Sequence, residues 1–152
     1  MVYVAATLVA LLLYCAALWQ PQRQLRLHQA NLLRAVEKRD WERVATFFAD
    51  DYSDRWGHDK ASVIERAREV FRQFLFVKIR HAITTIDRLN DSASVAASIK
   101  IDGSGGPLAQ FAEERVDALR DPFVFRWSKQ SWKPWDWKLR EVNQPELEIP
   151  EF

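Results

Sequence analysis

The chain has 152 residues, 48% of them hydrophobic and 28% charged, with 22 Lys and Arg against 21 Asp and Glu. That is enough apolar material for one compact domain, and far from collagen-like, low-complexity or disordered compositions, which bury too little surface to offset chain entropy. A net charge of +1 supplies no global field to attract nucleic acid, and the single cysteine, Cys15, excludes an internal disulfide or a cysteine-based zinc site.

No charged residue occurs from Val2 to Trp19; the first charge is Arg23, after Pro21. A helix of this length spans roughly 27 Å, close to the ~30 Å hydrocarbon core of a bilayer. Leu8, Leu11, Leu12 and Leu13 are mixed with Val and Ala around the whole circumference, where a soluble-domain helix would show a polar stripe. Residues 2–19 are therefore expected to contact a membrane as a single-pass anchor. This divides the chain into 1–20, the anchor or an uncleaved signal, 21–145, the globular domain, and 146–152, a short acidic tail. A cleaved signal is the rival, with Cys15 and Ala17 at the positions before cleavage, but no Lys or Arg precedes the apolar run. Tyr14, directly before Cys15, argues against lipidation. Arg23, Arg26, Arg34, Lys38 and Arg39 all follow the segment, so charge bias favours a cytoplasmic domain, with export as the alternative.

The globular part begins with helical spacing. Leu25, Leu32, Leu33 and Val36 recur among Arg26, Arg34, Glu37 and Lys38, which predicts an amphipathic helix over about residues 22–39. Asp40 caps a second helix, in which Trp41, Val44, Ala45 and Phe48 form a full apolar stripe. Asp59 caps a third, with Ile64, Ala67, Val70, Phe71 and Phe74 inward and Glu65, Arg68, Glu69 and Arg72 outward as ion pairs. From Phe76 the period becomes two: Val77, Ile79, His81 and Ile83 alternate with Phe76, Lys78, Arg80 and Ala82. Asn90-Asp91 turns the chain into a partner strand bearing Val95, Ala97, Ile99 and Ile101, interrupted by the glycine-rich run from Asp102 to Pro107. Phe123, Phe125 and Trp127 share a face of one later strand, and Trp135, Trp137 and Leu139 a face of the next, across a turn at Lys133-Pro134. Between the hairpins, Leu108, Phe111, Ala112, Val116 and Leu119 fit a helix begun by Pro107 better than strict alternation.

Three helices followed by a meandering sheet, with the pieces Arg39-Asp40-Trp41, Ala49-Asp50-Asp51-Tyr52-Ser53-Asp54 and Pro122-Phe123-Val124-Phe125-Arg126-Trp127, resemble the nuclear transport factor 2-like superfamily, also called SnoaL-like or ketosteroid-isomerase-like. The resemblance covers about residues 25–142. It implies an α+β domain in which N-terminal helices pack on a strongly curved, mostly antiparallel, cone-shaped sheet, here preceded by one transmembrane helix. It also implies that residues 108–119 form a strand, and that expectation is preferred to the local periodicity. The superfamily hosts isomerases, dehydratases, cyclases, binding modules and membrane-anchored secretion subunits, so the fold alone assigns no function and no catalytic residue is carried over.

The residues that could carry chemistry are few. Between the second and third helices, Tyr52, Asp54 and His58 could serve as hydrogen-bond donor, base and proton carrier toward a carbonyl substrate, and His81 could line a pocket if its strand face is inward. The competing structural reading gives Asp50, Asp51 and Asp59 to helix ends, Tyr52 and Trp56 to the core of the connecting loop, and His81 to a satisfied core site. Glu114 and Arg115 are candidate ligand or interface residues on the 108–119 stretch, and Trp132 and Trp135, flanked by lysines, are candidates at an exposed turn suited to a partner, a membrane interface or a sugar. No His pair has metal-ligand spacing, so neither metal nor cofactor is expected. The expected role is a membrane-tethered, non-enzymatic binding or assembly module, with a homodimer through the sheet and a small apolar ligand as its partners. The alternative is a cone-pocket enzyme of isomerase, dehydratase or hydrolase type, acting on a small apolar carbonyl compound.

Overall fold

The computed structural model describes residues 2–148. In chain order the elements are α1 (Val2–Leu18), α2 (Pro21–Glu37), α3 (Trp41–Phe47), α4 (Lys60–Arg72), β1 (Phe74–Leu89), β2 (Ser92–Gly105), α5 (Pro107–Asp117), β3 (Phe123–Lys129) and β4 (Trp137–Asn143). The helix starts follow local chemistry. Pro21 opens α2, where its missing N–H costs nothing. Asp40 accepts from the Arg43 N–H at 3.2 Å, and Asp59 and Ser62 form a reciprocal capping box at the head of α4. On the exposed side of α4, Arg68 pairs with Glu65 and Arg66 with Glu69. The helix stops at Arg72, so Phe74 opens β1 instead of ending the helical stripe, yet it is buried as expected.

The four strands form an antiparallel meander in chain order. Asn90, with φ 54°, makes the left-handed turn that joins β1 to β2. The β1–β2 ladder runs from Leu89 opposite Ser92 to Phe74 opposite Gly105, whereas β2 meets β3 only from Ser92 opposite Ser128 to Ala97 opposite Phe123. Residues 98–105 therefore overhang the rest of the sheet, and α5 lies against that overhang. Its Asp117 carboxylate accepts from the Ile101 N–H at 3.1 Å, and Lys100 donates to the Asp117 carbonyl. The free edges are partly occupied: residue Ala49 donates to the Leu139 carbonyl beside β4, and the Glu37 carboxylate accepts from the Ile79 N–H of β1 at 2.8 Å.

Two expectations are corrected in this region. The 108–119 stretch is a helix, α5, and not a strand. Pro107 presets the first turn after Gly106, and helical spacing buries Ala109 while sending Gln110 and Glu114 to water; a strand would have placed polar groups on both faces. The glycine run is likewise the end of β2, not a turn. At Gly105 a Cβ would strike the Gln73 carbonyl and come within 2.8 Å of the Ala109 Cβ, so only hydrogen fits where α4, β1 and α5 meet.

The main core lies where α2 and α3 cover the sheet, and joins Leu25, Leu32, Val44, Phe48, Val95, Phe125, Trp127, Trp137 and Leu139. Each buried Trp removes roughly 150–250 Å² from water, on the order of 4–6 kcal/mol. Trp137 donates its indole N–H to the Pro134 carbonyl at 3.1 Å. The Gln29 carboxamide, fully buried on α2, has no hydrogen-bond partner among the described residues. Trp135 does not share the inward face of Trp137 and Leu139: it belongs to the preceding turn and is exposed, because β4 begins only at Trp137.

Helix α1 stands apart from this core, with Val4, Leu8, Leu11, Leu12 and Leu13 all more than half exposed. Among the described residues no single helix is long and apolar enough to cross a membrane. Segments Val4–Ala17 and Pro21–Glu37 meet the length and hydropathy requirement only as a pair bent by 64°. The single span expected over residues 2–19 is thus one helix of 17 residues followed by a bend at Pro21.

Gly105→Ala is expected to lower stability by about 2 kcal/mol, since the backbone of three elements must shift to admit one methyl group. Denaturant unfolding of both proteins measures the difference; Gly106→Ala, whose Cβ meets nothing within 4 Å, serves as the unaffected control.

Candidate functional site

A cavity of about 430 Å³ opens between α4, α5, the loop before α4, the far ends of β3 and β4, and the C-terminal segment. Its walls are largely apolar: Val70 and Phe71 of α4, Phe111 and Val116 of α5, Phe123 of β3 and Leu147. The overhang of β1 and β2 creates this space, because α5 packs on the overhang at a distance from β3 and β4. Residues 144–148 close one side. Fully buried Gln144 donates to the Asp121 carbonyl and accepts from the Glu146 and Leu147 N–H groups, while Trp56 donates its indole N–H to the Leu147 carbonyl at 2.9 Å.

Tyr52, Asp54 and His58 come together in the cavity wall. Gly57, at φ 81°, lets the chain turn back within five residues. The Asp54 side chain, fully buried, then sits inside its own turn. One oxygen accepts from the N–H groups of Trp56 (3.0 Å) and His58 (2.9 Å); the other accepts from the Tyr52 hydroxyl (3.3 Å) and His58 Nδ1 (3.2 Å). Those bonds occupy every lone-pair direction of the carboxylate, so Asp54 holds its neighbours and is not itself free to take a substrate proton. The bond to the carboxylate requires the proton on Nδ1 of His58 and leaves Nε2 as the accepting nitrogen of the neutral ring. Burial, and then the charge of Asp54, push the Tyr52 phenol well above its ordinary value, so this hydroxyl stays a neutral donor.

The other sequence candidates are scattered. His81 is exposed on β1, opposite Ile99, and does not line the cavity; it shares the strand face of Val77, Ile79 and Ile83, but that face is left uncovered at its position. Arg115 reaches the lining from α5, whereas Glu114 is exposed and does not. Trp132 and Trp135 stand in the β3–β4 turn, 81% and 51% exposed, at the end of those strands opposite the cavity. The reading of 108–119 as a strand concealed Phe111 as a wall residue, and nothing local pointed to Leu147. A second hollow, of about 540 Å³ and open to solvent, lies near the other end of the sheet; its Arg126 and Arg140 are already paired with Glu141 and Asp51. Among the described residues no three His, Cys, Asp or Glu side chains converge to hold a metal ion.

No protein-family model and no curated protein matches the chain. Solved structures do. Bd1075 from Bdellovibrio bacteriovorus aligns with a TM-score of 0.60 at 13% identity, over 80% of this chain and 38% of that one, so the chain spans well under half of that protein's length. A candidate scytalone dehydratase from Novosphingobium aromaticivorans aligns at 0.56 and 11% identity, over 80% of each chain. A nuclear transport factor 2-like protein from Cytophaga hutchinsonii aligns at 0.53 and 18% identity, over 80% of this chain and 94% of its own. At these identities the likeness shows the fold: an α+β domain of the nuclear transport factor 2-like type.

Asp54→Ala leaves two buried side-chain donors and two backbone N–H groups without their acceptor, and is expected to cost roughly 3 kcal/mol in chemical denaturation. For Tyr52 the raised value means that the folded protein resists ionisation while the unfolded chain ionises near the ordinary ~10. Its contribution to stability is therefore complete below that pH and is lost above it. The absorbance difference at 295 nm between the native protein and Tyr52→Phe should show no tyrosinate transition near pH 10.

Proposed function

We propose that this chain is a membrane-tethered domain that binds a small, largely apolar molecule in the cavity between α4 and α5. The observation that carries the reading is the cavity itself: about 430 Å³ of mostly apolar wall, with Tyr52, Asp54 and His58 together on one side and Arg66, Glu69, Arg115 and Glu148 also in the lining. Binding pockets typically enclose roughly 300–1,000 Å³ and combine apolar walls with a few convergent polar groups that orient the ligand. The tether is α1, whose leucines are exposed around its circumference and would otherwise contact water. The run of Arg23, Arg26 and Arg34 after it favours a domain on the cytoplasmic side. A homodimer through the sheet would use the outward side chains Arg126 and Arg140, since Phe125, Trp127, Trp137 and Leu139 are spent on the core.

A second reading, proton-transfer catalysis on a carbonyl compound, is favoured by one feature, the hydrogen bond from His58 to buried Asp54. An imidazole held in one tautomer beside an apolar cavity is suited to accept a proton at Nε2 and return it elsewhere on the same molecule. Tyr52 holds the carboxylate in place.

Thermal-shift screening with small aromatic and alicyclic ketones tests both readings. A ligand present at about 100 times its Kd stabilises by ~2.7 kcal/mol, a readily measured rise in Tm. The rise should vanish in Ala112→Trp, which fills the cavity; an unchanged rise in that variant, or no rise with any compound, overturns the binding site. If a bound ketone also exchanges its α-protons with deuterated solvent, His58→Gln should retain binding and lose the exchange.

A further inference from the structure

The direction of α2 fixes which end of the domain meets the bilayer. At its C-terminus Glu37 accepts from the Ile79 N–H at 2.8 Å, and just beyond it Arg39 donates to the Phe74 carbonyl at 2.6 Å, so this end lies over the start of β1. Farther back along α2, the His28 ring meets the Trp127 ring edge-on at 6.0 Å. Trp127 is paired with Ala93, immediately after the β1–β2 turn. From His28 to Pro21 the helix continues the same way for about 10 Å. It therefore delivers α1 to the end of the domain built from the β1–β2 and β3–β4 turns, which are tied to each other by the Lys129 N–H donating to the Asp91 carbonyl at 2.8 Å.

That end is where the domain exposes Trp132, Trp135 and Leu89, the last at 76%. Three large apolar side chains on two linked turns contribute little to a water-exposed surface, but tryptophan is the residue that favours the headgroup layer, with its ring in the acyl boundary and its N–H toward water. Charges interleave there: Arg88 and Lys133 stand with Asp87, Asp91 and Asp136, so the signs nearly cancel. Lysine stems can lie along the apolar rings with their ammonium groups in the headgroups.

We propose that these two turns rest in the lipid headgroup layer beside the anchor, making the domain a seated rather than a freely swinging one, with Trp132 and Trp135 as the contact residues. This rests on the reading of α1 as a membrane anchor. Because the local charges cancel, uncharged zwitterionic lipid suffices.

The test uses the full chain in phosphatidylcholine vesicles, with Cys15→Ser and one added cysteine carrying a nitroxide: Leu12→Cys in α1, Lys133→Cys between the two tryptophans, or Leu75→Cys at the opposite end of β1. Power saturation compares access of oxygen with access of a water-soluble nickel chelate. The label at 12 should report the bilayer interior, and the label at 133 several-fold less chelate access than the label at 75. Adding Trp132→Ser and Trp135→Ser should restore chelate access at 133. Equal chelate access at 133 and 75, with 12 still in the bilayer, overturns the seat and leaves the anchor standing. Chelate access at 12 overturns the anchor and the seat together.

Discussion

The fold turns on unequal strand pairing. Strand β2 keeps β1 as its partner over its whole length but gives β3 only residues 92–97, and the unshared remainder needs a cover. Helix α5 supplies it, using Ala109 and Val116 against Phe74, Val77 and Ile101. The domain thus has two apolar clusters, one under α2 and α3 and a smaller one under α5, which meet where the Trp41 and Phe71 rings pack edge-on at 6.0 Å. The glycine at 105 is where this arrangement is tightest, since α4, the start of β1 and the start of α5 converge on one Cα.

The polar wall of the cavity follows the same economy. A buried carboxylate is costly unless its lone pairs are filled, and the loop fills those of Asp54 with two of its own N–H groups before recruiting Tyr52 and His58. The result is a rigid triad assembled from seven consecutive residues, which requires little from the rest of the fold except the shielding given by Phe48 and by Trp56 under the C-terminal segment. Holding the imidazole through Nδ1 gives this wall of the cavity a defined direction for accepting hydrogen bonds.

Features with a local cause were legible in the sequence. Asp40 and Asp59 cap helices because their side chains reach N–H groups three residues on, and Asn90 turns a hairpin because it tolerates positive φ; each needs only its neighbours. The cluster of Tyr52, Asp54 and His58 was visible for the same reason. What escaped depends on distant partners. Alternation in β1 puts His81 on the face of Val77 and Ile83 without saying which stretch of that face is covered, so His81 looked as eligible as His58. The periodicity from Leu108 to Leu119 pointed to a helix, and a fold-level resemblance displaced it wrongly; Pro107 and the spacing of Ala109, Ala112 and Val116 were the better guide. Trp135 has the parity of Trp137 and Leu139 but lies before β4 begins, a boundary set by the turn and not by the alternation. Leu147 reaches the cavity only because Gln144 is buried and anchors the chain there.

The occupied sheet borders bear on how such a domain behaves in a crowd. Anchoring proteins in a plane raises their mutual concentration, and a bare strand would then template edge-to-edge polymerisation with its neighbours. Here residue 49 sits against one border and Glu37 against the beginning of the other, while the remaining part of that second border carries Asp87 and Arg88, charges that discourage intermolecular ladder formation. Neighbouring copies therefore meet covered or charged borders, with little bare strand on which to extend a sheet into a filament.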